Sequence, residues 1–296
     1  MLYVPGSSSK MLKKSLESPA DALCYDLEDS VAVQRKGEAR GLVVDALNAA
    51  TSDRHERFVR VNSLPTGLTQ DDLEAVLSSD KLDGIVIPKV HTADDVKTVT
   101  SLIDQHARSP EQAKRLKIIA SIESALAIMN LSEIATASSR VAALLFASED
   151  FCADTGIVRT DSRVEMLHAR SAIVLAAKAY KLQAIDMVCV KVKDLDVLQD
   201  ECSEGRRLGF DGKQAIHPGQ VEIIQSTFVP SEAEVARAAK VIEANVKSTQ
   251  EGKGAFTFDD GLMIDAPMIL QADAIIARAK AAKINVPWTD KAPQGY

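Results

Sequence analysis

The chain lacks several features, and each absence removes a class of function. Its four cysteines, Cys24, Cys152, Cys189 and Cys202, show neither CxxC spacing nor clustering with histidine. Ordinary thiols in a reducing compartment are therefore expected, rather than a zinc site or a disulfide framework. No block dense in Lys and Arg interrupts a chain of formal charge −7, which disfavours nucleic acid or a membrane surface as partner. No apolar run approaches the ~20 residues needed to span a bilayer. The apolar opening Leu2–Pro5 is too short for the core of a secretory leader, although a presequence ahead of Met1 is compatible with a first strand that begins almost at once. Neither GxGxxG nor GxxxxGK[ST] occurs, so the familiar phosphate-cradling turns are missing.

What is present is an ordinary globular composition, 46% hydrophobic and 26% charged over 296 residues, enough for one large domain with an appendage or two smaller ones. Strand-like runs are read at 2–6, 22–29, 57–62, 84–90, 117–124, 141–150, 184–190 and 213–218. Most are short, continuous and rich in β-branched residues, as strands covered on both faces are. Amphipathic helices alternate with them, for example 92–107, where Val96, Val99 and Ile103 follow a Thr cap, and 69–79. Eight strand–helix units over residues 1–229 predict an α/β fold, a (β/α)8 TIM barrel, in preference to a doubly wound open sheet. Residues 230–296 read as a C-terminal extension: a helix at 231–252 with a stripe through Val235, Ala238, Val241 and Ile242, a hairpin at 253–267 turning around Asp259–Gly261, and a helix at 268–283. An appendage of that size is expected to pack on the barrel or on another subunit.

In such a barrel the active site lies at the C-terminal strand ends. Those ends collect Tyr3, Glu28, Asp29, Arg60, Asn62, Lys89, Glu123, Glu149, Asp150 and His217. Three apolar runs, "ALCYDLEDS", "IIASIESA" and "VAALLFASEDF", each deliver carboxylates, and burying a lone carboxylate costs several kcal/mol. Arg60 and Lys89 can offset part of that surplus. A hard divalent cation with oxygen ligands, Mg²⁺ above all, can offset the rest while keeping coordination positions open. Each acid also has a plainer reading as a helix cap or surface ion pair. Arg60, at the end of an apolar strand, needs an anion, and Asp265 in "LMID" is awkward unless it faces a site.

The ordered set "LYVPG", "DLED", "VRVNS", "IPKV", "IES", "SEDF", "KQAIHP" and "KGAFTFDDGLMIDAP" resembles the HpcH/HpaI aldolase–citrate lyase β-subunit superfamily over nearly the whole chain. The resemblance implies a Mg²⁺-dependent carbon–carbon lyase acting on an acyl-CoA thioester, a 3-hydroxyacyl-CoA of the citramalyl or malyl type, to give acetyl-CoA and a 2-keto acid. A citryl-thioester lyase subunit working with an acyl-carrier partner, an aldolase of free acids, and an acyl-CoA-binding barrel without turnover are the alternatives. By the same resemblance Glu123 and Asp150 hold the metal, Arg60 faces the reacting acyl group, and Asp265 is catalytic. Tyr3, Lys10, Ile216 and His217 line the CoA thioester. A homotrimer in which Asp265 reaches a neighbouring subunit's site is implied, as is an intracellular location, mitochondrial if a eukaryotic presequence has been lost and otherwise cytoplasmic. The family often has Gly-Gly before its Glu-Asp pair, where this chain has Ala147–Ser148.

Overall fold

In the computed structural model the described residues are 1–52, 54–250, 256–257 and 263–286. They fall into two compact units, Met1–Gln225 and Ser226–Tyr296. Among them no helix is long and apolar enough to cross a membrane.

The first unit is built on eight parallel strands in sequential order: β1 (Leu2–Pro5), β2 (Ala22–Asp26), β3 (Glu56–Arg60), β4 (Gly84–Val90), β5 (Lys117–Ile122), β6 (Val141–Phe146), β7 (Gln183–Asp186) and β8 (Gly212–Lys213). The chain just beyond β8 returns to β1. Ala215 bridges Leu2 in parallel, with the Tyr3 N–H donating to the Ala215 carbonyl at 2.9 Å and the Ala215 N–H to that of Met1 at 2.8 Å. The sheet thus closes on itself, as the alternation of strands and helices predicts.

Period-two alternation sorts each strand into an outward face under the helices and an inward face. Cys24, Phe58, Val86, Ile119, Ala143, Leu145 and Ile185 meet inside the barrel. Gly84 makes room for Phe58: a Cβ there would lie 2.7 Å from the Phe58 ring and 2.5 Å from the Lys117 carbonyl. Two residues further along the same inward faces stand Asp26 after Cys24 and Arg60 after Phe58, paired with each other in the β2–β3 ladder. The barrel's apolar floor therefore becomes a polar mouth within one repeat of the pleat.

Several strands end earlier than the apolar runs suggest. Glu28 and Asp29 lie beyond β2 in the following turn, and Glu149 and Asp150 occupy the first turn of the helix Ser148–Thr155. The reading of 141–150 as one strand is corrected accordingly, and β7 and β8 are shorter than read. The helix Ala93–His106 begins at a capping box between Thr92 and Asp95 and buries Val96, Val99 and Ile103, the stripe read from the sequence.

In the second unit the helix Glu232–Gln250 meets the helix Ala266–Ala281, with Ala238, Val241, Ile242 and Ala272 at one contact and Val235, Ala279 and Val286 at another. Phe256–Thr257 and Met263–Ile264 pair antiparallel. The turn read around Asp259–Gly261 lies outside the described residues. Asp265 sits at the N-cap of the last helix, one residue past the second hairpin strand.

Candidate active site

Arg60 organises the mouth. Its Nε and Nη2 donate to the two Asp26 oxygens at 2.7 and 2.8 Å, a fork-on-fork pairing. Its Nη1 lies 3.1 Å from Glu28 and 3.7 Å from Asp29. The guanidinium also stands 5.0 Å over the Tyr3 ring. Burial opposes the charge on Arg60, but bonding to Asp26 outweighs it and raises the pKa well above the ordinary value. Asp26 is desolvated too, and Arg60 still holds its pKa below normal. Removing one partner of such a buried pair costs roughly 3–5 kcal/mol. Asp26 also accepts from the Glu28 N–H at 2.9 Å and the Ser30 N–H at 3.0 Å, so one carboxylate fixes both Arg60 and the turn carrying Glu28.

A second layer holds that turn from behind. The buried Lys36 ammonium donates to the Leu27 and Glu28 carbonyls at 2.9 Å each and to the Asn62 side chain. Asn62 in turn bonds Asp72 through its side chain at 2.6 Å and its backbone N–H at 2.8 Å. Asn62, collected with the strand ends, is thus a buried bracket.

Across the mouth Glu123 follows β5. It is only 3% exposed, and its Oε1 is buried without a hydrogen-bond partner. Desolvation pushes its pKa from 4.5 to about 7, with the charges of Asp150 and Glu28 adding to the rise and hydrogen bonding from Ser121 and the Lys89 backbone opposing it. Desolvation likewise raises Glu28. Lys89 reaches Glu28 at 3.2 Å, Asp150 at 3.8 Å and Asp29 at 3.9 Å. Four carboxylates, those of Asp26, Glu28, Asp29 and Asp150, thus share two cations, Arg60 and Lys89, and Glu123 adds a fifth acid that feels the charges of Asp150 and Glu28.

A negative surplus with the buried Glu123 Oε1 left without a hydrogen-bond partner suits a hard cation, and Glu123 and Asp150 are the oxygen donors that the sequence resemblance implies for one. Among the described residues no group of three or more His, Cys, Asp and Glu side chains is arranged to hold a metal. Two carboxylates would leave most of a cation's shell to water or substrate, which is the habit of Mg²⁺ rather than Ca²⁺.

Beside these groups opens a cavity of about 410 Å³, lined by Tyr3, Asp26, Arg60, Val188, Gln214 and Ile216 among others. Gln214 donates to the Phe146 carbonyl at 2.9 Å and the Asp186 carbonyl at 3.1 Å, tying together the ends of β6 and β7. Arg159 links the next two loops: it donates to Glu149, to Ser148 at 3.2 Å, to the Val188 carbonyl at 3.2 Å and to Glu201 at 2.8 Å. Glu149 is thereby spent on Arg159, whereas its neighbour Asp150 faces Lys89.

The structure thus brings Tyr3, Arg60 and Ile216 to one cavity, and Glu123, Asp150 and Lys89 to one charge cluster. Lys10 lies exposed on the helix Ser9–Ser15. His217 is exposed and accepts from the Gly219 N–H at 3.1 Å, capping the turn Pro218–Gln220. Asp265, also exposed, accepts from the Met268 N–H at 3.2 Å. Asp26, Gln214 and Arg159 were not singled out from the sequence. Asp26 stands within "YDLED" beside two further acids, and nothing in that run sets it apart from them.

The HpcH/HpaI aldolase/citrate lyase family model matches residues 1–218. The chain belongs to the HpcH/HpaI aldolase/citrate lyase family. It is 35% identical over 292 residues to the mitochondrial citramalyl-CoA lyase of Homo sapiens, covering 96% of this chain and 86% of that one. It is also 35% identical over 282 residues to the citrate lyase subunit beta of Haemophilus influenzae, covering 95% and 96%. Among solved structures it is similar to protein CitE from Mycobacterium tuberculosis in complex with magnesium, acetoacetate and coenzyme A. There the TM-score is 0.75 at 30% identity, over 94% of this chain and 97% of that one.

Proposed function

We propose that this chain is a Mg²⁺-dependent carbon–carbon lyase that cleaves a 3-hydroxyacyl-CoA of the citramalyl-CoA or malyl-CoA type into acetyl-CoA and a 2-keto acid, and runs the reverse condensation. The observation that carries the reading is Glu123: buried, orphaned at one oxygen, and facing a mouth whose acids outnumber its cations. Glu123 and Asp150 would hold the ion, which when bound supplies Lewis acidity and a template for the keto-acid oxygens.

In cleavage the C2–C3 bond breaks, its electron pair passes to the acetyl thioester as an enolate, and the hydroxyl oxygen gives its proton to water as the keto group forms. Arg60 opposes the enolate charge. Asp26 takes two of its five N–H donors and Glu28 lies against Nη1, which still leaves N–H donors of Nη1 and Nη2 for an oxyanion in the cavity that Arg60 lines. Losing a preorganised donor of this kind costs roughly 3–4 kcal/mol in barrier. Asp265 delivers the proton that turns the enolate carbon into the acetyl methyl, and removes it in condensation. Tyr3, Lys10, Ile216 and His217 contact the CoA thioester. The assembly is a homotrimer in which Asp265, exposed and carried by the second compact unit, serves a neighbouring subunit's site.

The test is pyruvate, glyoxylate or oxaloacetate release from citramalyl-, malyl- and citryl-CoA, each with and without EDTA. Release from the first or second, abolished by chelation and restored by Mg²⁺, is expected. Preference for the citryl thioester would move the assignment to the citrate lyase reading, and turnover indifferent to EDTA would remove the metal from it.

A further inference from the structure

β4 departs from regular geometry one residue before it ends. Lys89 has a φ of 52°, in the left-handed region that side-chain-bearing residues rarely adopt. At the same place the β4–β5 ladder shifts register between Ile87 and Val90. Regular alternation from the inward Val86 would turn Pro88 into the mouth and Lys89 away from it. The irregularity reverses this, and bulges re-aim side chains in this way beside active sites. Strain of this kind persists only where its surroundings hold it.

The re-aimed ammonium meets three carboxylates unequally. Glu28 is close, at 3.2 Å, while Asp150 and Asp29 stand at 3.8 and 3.9 Å. Lys89 is thus anchored by Glu28 and only loosely engaged with Asp150. Its side chain is 37% exposed on a flexible stem, so it can leave Asp150 without giving up Glu28.

We propose that Lys89 is a built-in counter-ion of the acid cluster: it balances Asp150 when no divalent cation is bound, yields that carboxylate when one arrives, and so sets the affinity of the site. The inference rests on the reading of Glu123 and Asp150 as the cation pair. Removing the ammonium acts twice in one direction, since it frees Asp150 from a competitor and removes a positive charge that repels the incoming ion.

The experiment is calorimetric titration of Mg²⁺ into the full chain, as wild type, Lys89→Gln, Lys89→Arg and Glu123→Gln. Lys89→Gln should bind about ten-fold more tightly, Lys89→Arg should keep the wild-type constant, and Glu123→Gln should lose binding. If Lys89→Gln does not fold, Lys89→Asn replaces it, because asparagine tolerates the left-handed region. Wild-type binding with an unchanged or weaker constant in the neutral variant overturns the role of Lys89 alone. Absence of Mg²⁺ binding by the wild type overturns this inference together with the proposed metal site.

Discussion

Glu123 shows how burying one residue couples folding to pH. In the unfolded chain its carboxyl loses a proton near 4.5, and in the fold near 7, because burial disfavours the anion. Between those values the native state holds a proton that the unfolded state has released, so stability falls as pH rises, and the full penalty stands above about pH 7. The penalty is on the order of 3 kcal/mol. In EDTA, thermal melts should therefore show a loss of stability as pH rises from 4.5 to about 7 that Glu123→Gln removes. An unchanged slope in the variant would assign the effect elsewhere. A cation held by Glu123, as proposed, would displace the same proton, so Mg²⁺ affinity should rise with pH up to about 7. Arg60's need for an anion was legible in the sequence, because a strand-end arginine cannot stay unpaired. Its partner Asp26 was not legible, since their meeting is a fact of β2–β3 register and no spacing along the chain encodes it.

At the scale of elements, strand starts were easier to read than strand ends. Residues 141–147 stay apolar into the turn, and Glu149 and Asp150 just after them begin a helix whose N-terminal dipole favours negative charge. An apolar run followed by acids reads the same whether the strand continues or a helix begins. β8 contributes only Gly212–Lys213 to its ladder with β7, and Ala215, two residues on, pairs with Leu2 of β1, a closure that no local pattern announces. The interior leaves little slack at β4. Gly84→Ala would set a Cβ 2.5 Å from the Lys117 carbonyl and 2.7 Å from Phe58, and the carbonyl belongs to the β4–β5 ladder and cannot move away cheaply. Such overpacking costs roughly 1–3 kcal/mol, read as a lower urea midpoint with an unchanged slope. A wild-type midpoint would show that the barrel relaxes there more easily than its packing implies.

At the scale of the whole molecule, size and alternation were enough for the barrel, and the ordered motifs were enough for the family. The second unit is harder to read, because a helix pair with its own small apolar contacts says nothing about the role proposed for Asp265. If the site is shared between subunits, Arg60→Ala and Asp265→Ala chains, each inactive alone, should regain activity when refolded together, because some mixed assemblies then contain an intact Arg60 facing an intact Asp265. Light scattering should give the mass of three chains. Two variants that stay inactive in mixture would place Asp265 in its own chain's site or outside the chemistry.

The claim on which the chemistry depends is that the carboxylates after β5 and at the start of the helix following β6 hold one divalent ion. Manganese stands in for magnesium and is counted directly by electron paramagnetic resonance. The account predicts one Mn²⁺ per wild-type chain, displaced by Mg²⁺, and none in a folded Glu123→Gln/Asp150→Asn double variant. Full occupancy in that double variant would contradict it.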